Sequence, residues 1–219
     1  MSERERLFRR RGGAGWIVLA ESLPEIGGSL RSLGERLLER IDLSRRPICV
    51  ASAASDPGVV EGFTEDFEVW LSVEVAVLRP EEIAALDWKE AGLVVLAGGP
   101  PTVWVAALAG REGEDPVLAG ADEGTLVYAA GEAAEALGSW IMNPGGDHVP
   151  GTGWLAGSVI LPGCADPAAV RGVTELLAAE DHSYAVGLGE GSVLALGPRG
   201  EVEVWGEARP TITLGRGWR

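Results

Sequence analysis

Sulfur and imidazole are scarce in this 219-residue chain: it has two cysteines and two histidines. Two cysteines cannot form a disulfide framework. Without a cluster of Cys and His, a zinc site has no ligand set, so neither a metal nor a cofactor is expected. Positive charge is also short. Lys and Arg total 18 against 33 Asp and Glu, a net charge of -15. A nucleic-acid partner is therefore excluded, because it needs a clustered basic face. No apolar run approaches the roughly 20 residues of a membrane span, so no membrane partner is expected and the chain reads as cytoplasmic. The single basic cluster, "RERLFRRR" at residues 4–11, has no apolar segment and cleavage site after it, unlike a secretory leader. We take residues 1–14 as a flexible basic arm and residues 15–219 as one α/β domain.

Hydrophobic residues make up 46% of the chain and charged residues 23%, enough for a sheet covered on both faces. Short apolar runs alternate with helical patterns. "WIVLA", "PICVAS", "VEVAVL", "GLVVLAGG" and "TLVY" read as strands. Leu30, Leu33, Leu37, Leu38 and Ile41 recur at helical spacing. Strands without polar alternation are buried on both faces, and their alternation with helices predicts a doubly wound, mostly parallel sheet. "GPRG" at residues 197–200 predicts a C-terminal antiparallel hairpin between "SVLAL" and "EVEVW". A helix is expected to begin at Asp166, with Pro167 at its first turn.

In a doubly wound sheet, ligands collect at the carboxyl ends of the strands. Three turns are expected there: "ASAASDPG", "AGGPP" and "YAAGEA". The glycine turn in "AGGPPTVWVAAL" is no phosphate loop, because Gly-Lys-Ser/Thr is missing. It reads equally as a close backbone approach or as a site of backbone N–H groups. "GLGEG", residues 187–191, precedes a strand and so fails the context of a dinucleotide fingerprint. His182 reads as a surface residue after a helix. His148 lies in the Gly/Pro-rich segment 143–153. A catalytic triad needs a nucleophile, a base and an orienting acid within reach of one another, and spacing alone assembles none.

In order, "RPICVASAAS", "AGLVVLAGGPPTVWVAAL", "GTLVYAAGEAAEALG", "GSVILPGCADPAAVRGVTELL" and "YAVGLGEGSVLALGPRGEVEVWGE" resemble the serine peptidases related to dipeptidase E and cyanophycinase. The resemblance covers nearly the whole chain after Gly15. It implies the class I glutamine amidotransferase-like fold and, as is frequent in that fold, a homodimer. It also implies that the third segment corresponds to the family's nucleophile turn and places Ala129 at the serine. The fourth segment places Pro167, or with a one-residue slip Ala168, at the histidine. Glu190 is the retained acid. Pro100 and Pro101 follow Gly98 and Gly99, where proline offers no N–H. The implied cleft is lined by Gly98, Gly99, Ala129, Ala130, Glu132 and Glu190.

The expectation is a catalytically inactive relative that binds a small molecule or peptide, with a cationic or amide-bearing ligand suited to the two glutamates. The alternative is a hydrolase or amidotransferase-like enzyme acting on a peptide or amide, with relocated groups drawn from Glu132, Glu190, Cys164, His148, Ser52 and Ser55.

Overall fold

The computed structural model describes all residues except 1–6, 12, 24–30, 46–47, 54–56, 86, 110–115 and 219. Its centre is a seven-stranded sheet. Five parallel strands form its body: β2 (Ile17–Ala20), β3 (Ile48–Ser52), β4 (Val75–Leu78), β5 (Leu93–Ala97) and β6 (Leu126–Ala130). The hairpin β11 (Val193–Leu196) and β12 (Val202–Val204) extends it antiparallel beside β2, giving the order β12-β11-β2-β6-β5-β3-β4. The "GPRG" turn thus joins the two strands expected of it.

A second sheet contains β13 (Thr211–Leu214), β10 (Tyr184–Leu188), β9 (Leu155–Pro162), β7 (Gly138–Met142) and β8 (His148–Pro150), in that order. β7, β9 and β10 run parallel. The short β1 (Arg9–Arg10) pairs antiparallel with the start of β9. The chain is therefore a mixed α/β structure with two sheets, the first mostly parallel and the second built on the parallel trio β7, β9 and β10, where the sequence pattern had suggested one. The reason lies just past the third turn: its helix, α5 (Glu132–Glu135), is a single turn, and the chain re-enters extended structure as β7.

Alternation along the strands sorts the core into layers. Val18, Val95 and Tyr128 face one side of the first sheet and pack under α1 (Arg31–Arg40) and α2 (Pro57–Leu71), which contribute Leu33, Leu37, Phe63 and Phe67. Ile17, Leu19, Leu96 and Ala129 face the other side. There they meet α3 (Pro101–Leu108), α4 (Pro116–Asp122), α5 and the inner face of the second sheet. Helix α6 (Val173–Ala179) covers the outer face of that second sheet through Leu176 and Leu177. Each fully buried Leu or Phe contributes about 1.5–3 kcal/mol, so both faces of the first sheet are driven to be covered.

Two local expectations change. The helix expected from Asp166 splits. Asp166 does cap a 3₁₀ turn, Pro167–Ala169, accepting from the Ala168 N–H at 3.1 Å, but Gly172 then breaks the chain at φ 83° before α6 begins. The N-terminal arm is docked over its described part, residues 7–11. Phe8 stacks edge-on against Tyr184 at 5.5 Å, and the Arg10 guanidinium donates to the carbonyls of Gly15 and Leu196 at 2.6 and 3.0 Å.

Candidate functional site

The parallel register aligns the carboxyl ends of the central strands. Ala20 pairs with Ala130, Ala97 with Ala130, and Ser52 with Ala97. The residues that follow therefore form one row: Glu21, Gly131, Gly98 and Ala53. Backbone bonds knit the row together. Gly131 N–H donates to Ala20 O at 3.0 Å, Ala53 N–H to Ala97 O at 3.0 Å, and Glu21 N–H to Ser192 O at 3.2 Å. The last bond brings the loop 189–192, with Glu190, to the same end of the sheet, because β11 runs antiparallel to β2.

The sharpest feature in this row is Gly131. It has φ 57° and ψ -134° and passes the chain from β6 directly into α5. Such a backbone is costly for a residue with a side chain. A strained strand-to-helix turn of this kind presents the nucleophile in hydrolases of α/β type. Here the apex is glycine. A Cβ built on it would meet only the Glu21 carbonyl oxygen, at 3.5 Å, so the space for a side chain exists and is unused.

The family resemblance places the serine position at Ala129 and implies a cleft lined by Ala129 and Ala130. Both are instead the last residues of β6 and are buried. The Ala129 methyl points into the layer between the sheets and that of Ala130 toward α1 and α2. Neither presents surface to a ligand. Pattern reading shortened the strand because alanine is a weak strand former, whereas the register with β2 and β5 carries it to Ala130.

Gly98 and Gly99 do sit in the row, at φ 65° and 74°. A Cβ on Gly99 would lie 2.4 Å from the Ala53 Cβ; only glycine lets the β3 and β5 ends approach so closely. The Gly98 carbonyl accepts from the buried Trp104 indole at 2.7 Å. Pro100 and Pro101 then start α3. Trp104, unremarkable in the sequence, is thus the residue that fixes the orientation of the glycine turn.

The electrostatics at this end are acidic. Glu132 is exposed on α5, and Glu135, one turn on, is half-buried. Burial, with the Glu132 charge adding to it, pushes the Glu135 carboxyl up to about 7. The sequence reading passed over Glu135, since only packing distinguishes it from Glu132. Tyr128, fully buried beneath the row, is held well above its ordinary value by burial and then by the Glu21 charge. Its hydroxyl donates to Ser22 O at 3.2 Å.

Apart from Glu190, whose loop reaches the row, the remaining candidates are dispersed. Pro167 is buried and packs against Gly187 of β10. Cys164 packs against the α6 side of the second sheet. His148 is exposed at the start of β8, edge-on to Trp140. His182 is exposed, with φ 57°, beside Trp218. Glu190 is exposed in its loop. No described hydrogen bond or ion pair joins any two of Glu132, Glu190, Cys164 and His148. Ser55 lies outside the described residues, and so does the Cys49 side chain. Among the described residues no group of three or more His, Cys, Asp or Glu could hold a metal ion, and no helix is long and apolar enough to cross a membrane.

No family model and no curated protein matches this sequence. Solved structures do match the fold. A peptidase from an acI-B1 actinobacterium superposes with a TM-score of 0.68 at 17% identity, over 95% of this chain and 93% of that one. A Peptidase E candidate from Listeria monocytogenes EGD-e superposes with a TM-score of 0.59 at 12% identity, over 89% of this chain and 99% of that one. The order of strands, turns and helices described above is thus a peptidase-like fold, shared almost end to end.

Proposed function

We propose that this chain is a catalytically inactive relative of the dipeptidase E and cyanophycinase type of serine peptidase, binding a small molecule or peptide at the row of strand ends. One observation carries this reading: the residue at the strained turn is Gly131, which has no atom to attack a carbonyl. Triad members act as a unit, so the acid Glu190 alone gives no reason to expect the peptidase reaction. The carboxylates of Glu21, Glu132 and Glu190 suit a ligand carrying a cation or an amide. A fluorophosphonate probe read by intact mass tests the proposal. No adduct is expected. An adduct on any serine of the strand-end turns overturns it.

Glu135 supports a second reading, a hydrolase acting on a peptide or amide with relocated groups. A carboxyl titrating near neutrality is suited to proton transfer. That reading requires hydrolysis of a dipeptide or amide panel that disappears in Glu135→Gln while the fold persists.

A further inference from the structure

We propose that β13 is a docking edge for an extended acidic peptide, distinct from the strand-end row. β13 ends the second sheet among the described strands, pairing only with β10. Gly215 N–H donates to Ser183 O at 2.9 Å, and bonded pairs alternate along an antiparallel ladder. Thr213 and Thr211 therefore bond to β10, and the backbone N–H and C=O of Ile212 and Leu214 point outward, away from it. A free edge of this kind accepts an added strand.

The side chains beside this edge are apolar. Ile212 and Leu214 are 40% and 52% exposed. They stand in register with Val186 and Tyr184, which face the layer between the sheets. On the first sheet, the edge strand β12 exposes Val202 and Val204 at 51% and 42%. These are in register with Leu196 and Leu194, which face the same layer. The sandwich is thus closed by β10 and β11, while the aliphatic side chains of both outer strands turn toward the intersheet layer uncovered. An incoming strand on β13 would pair its backbone and lay alternate apolar side chains along this seam.

Charge selects the occupant. Residues 208–219 hold three arginines and no Asp or Glu, in a chain of net charge -15. Arg209 and Arg216 flank β13. Arg216 meets Asp181 at 2.7 Å, but both are more than 60% exposed, a pair of small worth. A peptide with carboxylates at both ends is attracted to these arginines and repelled by the rest of the surface, which sets its register. A second copy is the poorer occupant. Two-fold pairing of Ile212 with Leu214 would set Arg209 of one copy opposite Gly217 of the other, with Arg216 one residue away, so a second copy brings arginine rather than carboxylate to each end of the edge.

The test uses a fluorescent heptapeptide, Glu-Val-Thr-Ile-Thr-Val-Asp, followed by anisotropy with the full chain. It should bind at least tenfold tighter than the same peptide with lysine at both ends. Raising salt should weaken it, and N-methylation of alternate residues should abolish binding. The double variant Arg209→Glu/Arg216→Glu, checked for an unchanged thermal melt, should reverse the charge preference. Failure to bind, or equal binding of the acidic and lysine peptides, overturns the proposal. So does a micromolar dimer in ultracentrifugation with Ile212 and Leu214 amides protected from exchange. None of these outcomes depends on whether the strand-end row is catalytic.

Discussion

The indole N–H of Trp104, on a ring with no exposed surface, donates to the carbonyl of Gly98 at 2.7 Å. This bond joins the first half of α3 to the glycine turn that precedes it.

Trp104→Phe keeps most of the ring and removes the donor. The Gly98 carbonyl is then left without its indole partner, at a cost of about 1–3 kcal/mol. Urea denaturation should report that loss. Trp104→Ala adds a cavity and should cost about 3–5 kcal/mol. A phenylalanine variant as stable as the parent would show that the bond contributes nothing.

The two glycine turns should respond differently to alanine. At Gly131 a Cβ meets nothing nearer than 3.5 Å, so only its backbone conformation is penalised, by about 1–3 kcal/mol. At Gly99 a positive-φ penalty is joined by contacts of 2.4 and 2.6 Å to the Ala53 Cβ and carbonyl oxygen. Overpacking adds a further 1–3 kcal/mol or so. Denaturation midpoints of Gly99→Ala and Gly131→Ala should therefore separate clearly; coincident midpoints would contradict the packing of β3 against β5.

Glu135 gives stability a pH dependence of definite sign. Its folded value, about 7, lies above the ordinary 4.5. The folded state therefore binds the proton more tightly than the unfolded chain between these values. Stability from this group is fully present below pH 4.5 and is lost as pH rises through 7. The side chain is partly solvated, so screening reduces the effect to about 1–2 kcal/mol. Glu135→Gln should flatten this part of the stability curve and raise the melting temperature at pH 8. A variant whose curve parallels the parent's between pH 4.5 and 8 would rule the effect out.

Arg10→Met preserves the apolar stem of the side chain and removes its donors to Gly15 and Leu196. We expect a loss of about 1.5–3 kcal/mol, the range for hydrogen bonds to a charged group, and faster tryptic cleavage at Arg11. Unchanged cleavage would mean that the β1 pairing with β9 is sufficient on its own.

Much of the first sheet was legible because its strands are unbroken apolar runs. "WIVLA" and "GLVVLA" appear as β2 and β5, and "PGVVEGFTEDFEVWL" is helical from end to end as α2. The second sheet was harder to read. β7 is "GSWIM" and β8 "HVP"; such short, partly polar pieces become strands only through pairing with β9 and with each other. The turn after β6 was recognised as a strand-to-helix turn, but its apex was placed at Ala129. Two consecutive alanines give no periodicity, and the register with β2 and β5 determines where the strand ends.

The amino-acid sequence by itself determined which chemistry is scarce. Its two histidines, two cysteines and excess of acid follow from composition and do not depend on packing. It also determined that glycine follows β5 and β6, because only glycine tolerates those backbone angles without strain. Tertiary structure alone decided that Gly131 is the apex, that the Glu135 carboxyl is raised toward neutrality, and that Ile212 and Leu214 lie on the edge of the second sheet among the described strands. These properties depend on strand register and on the removal of water from one side chain and not its neighbour. Both arise from contacts between residues far apart in the chain.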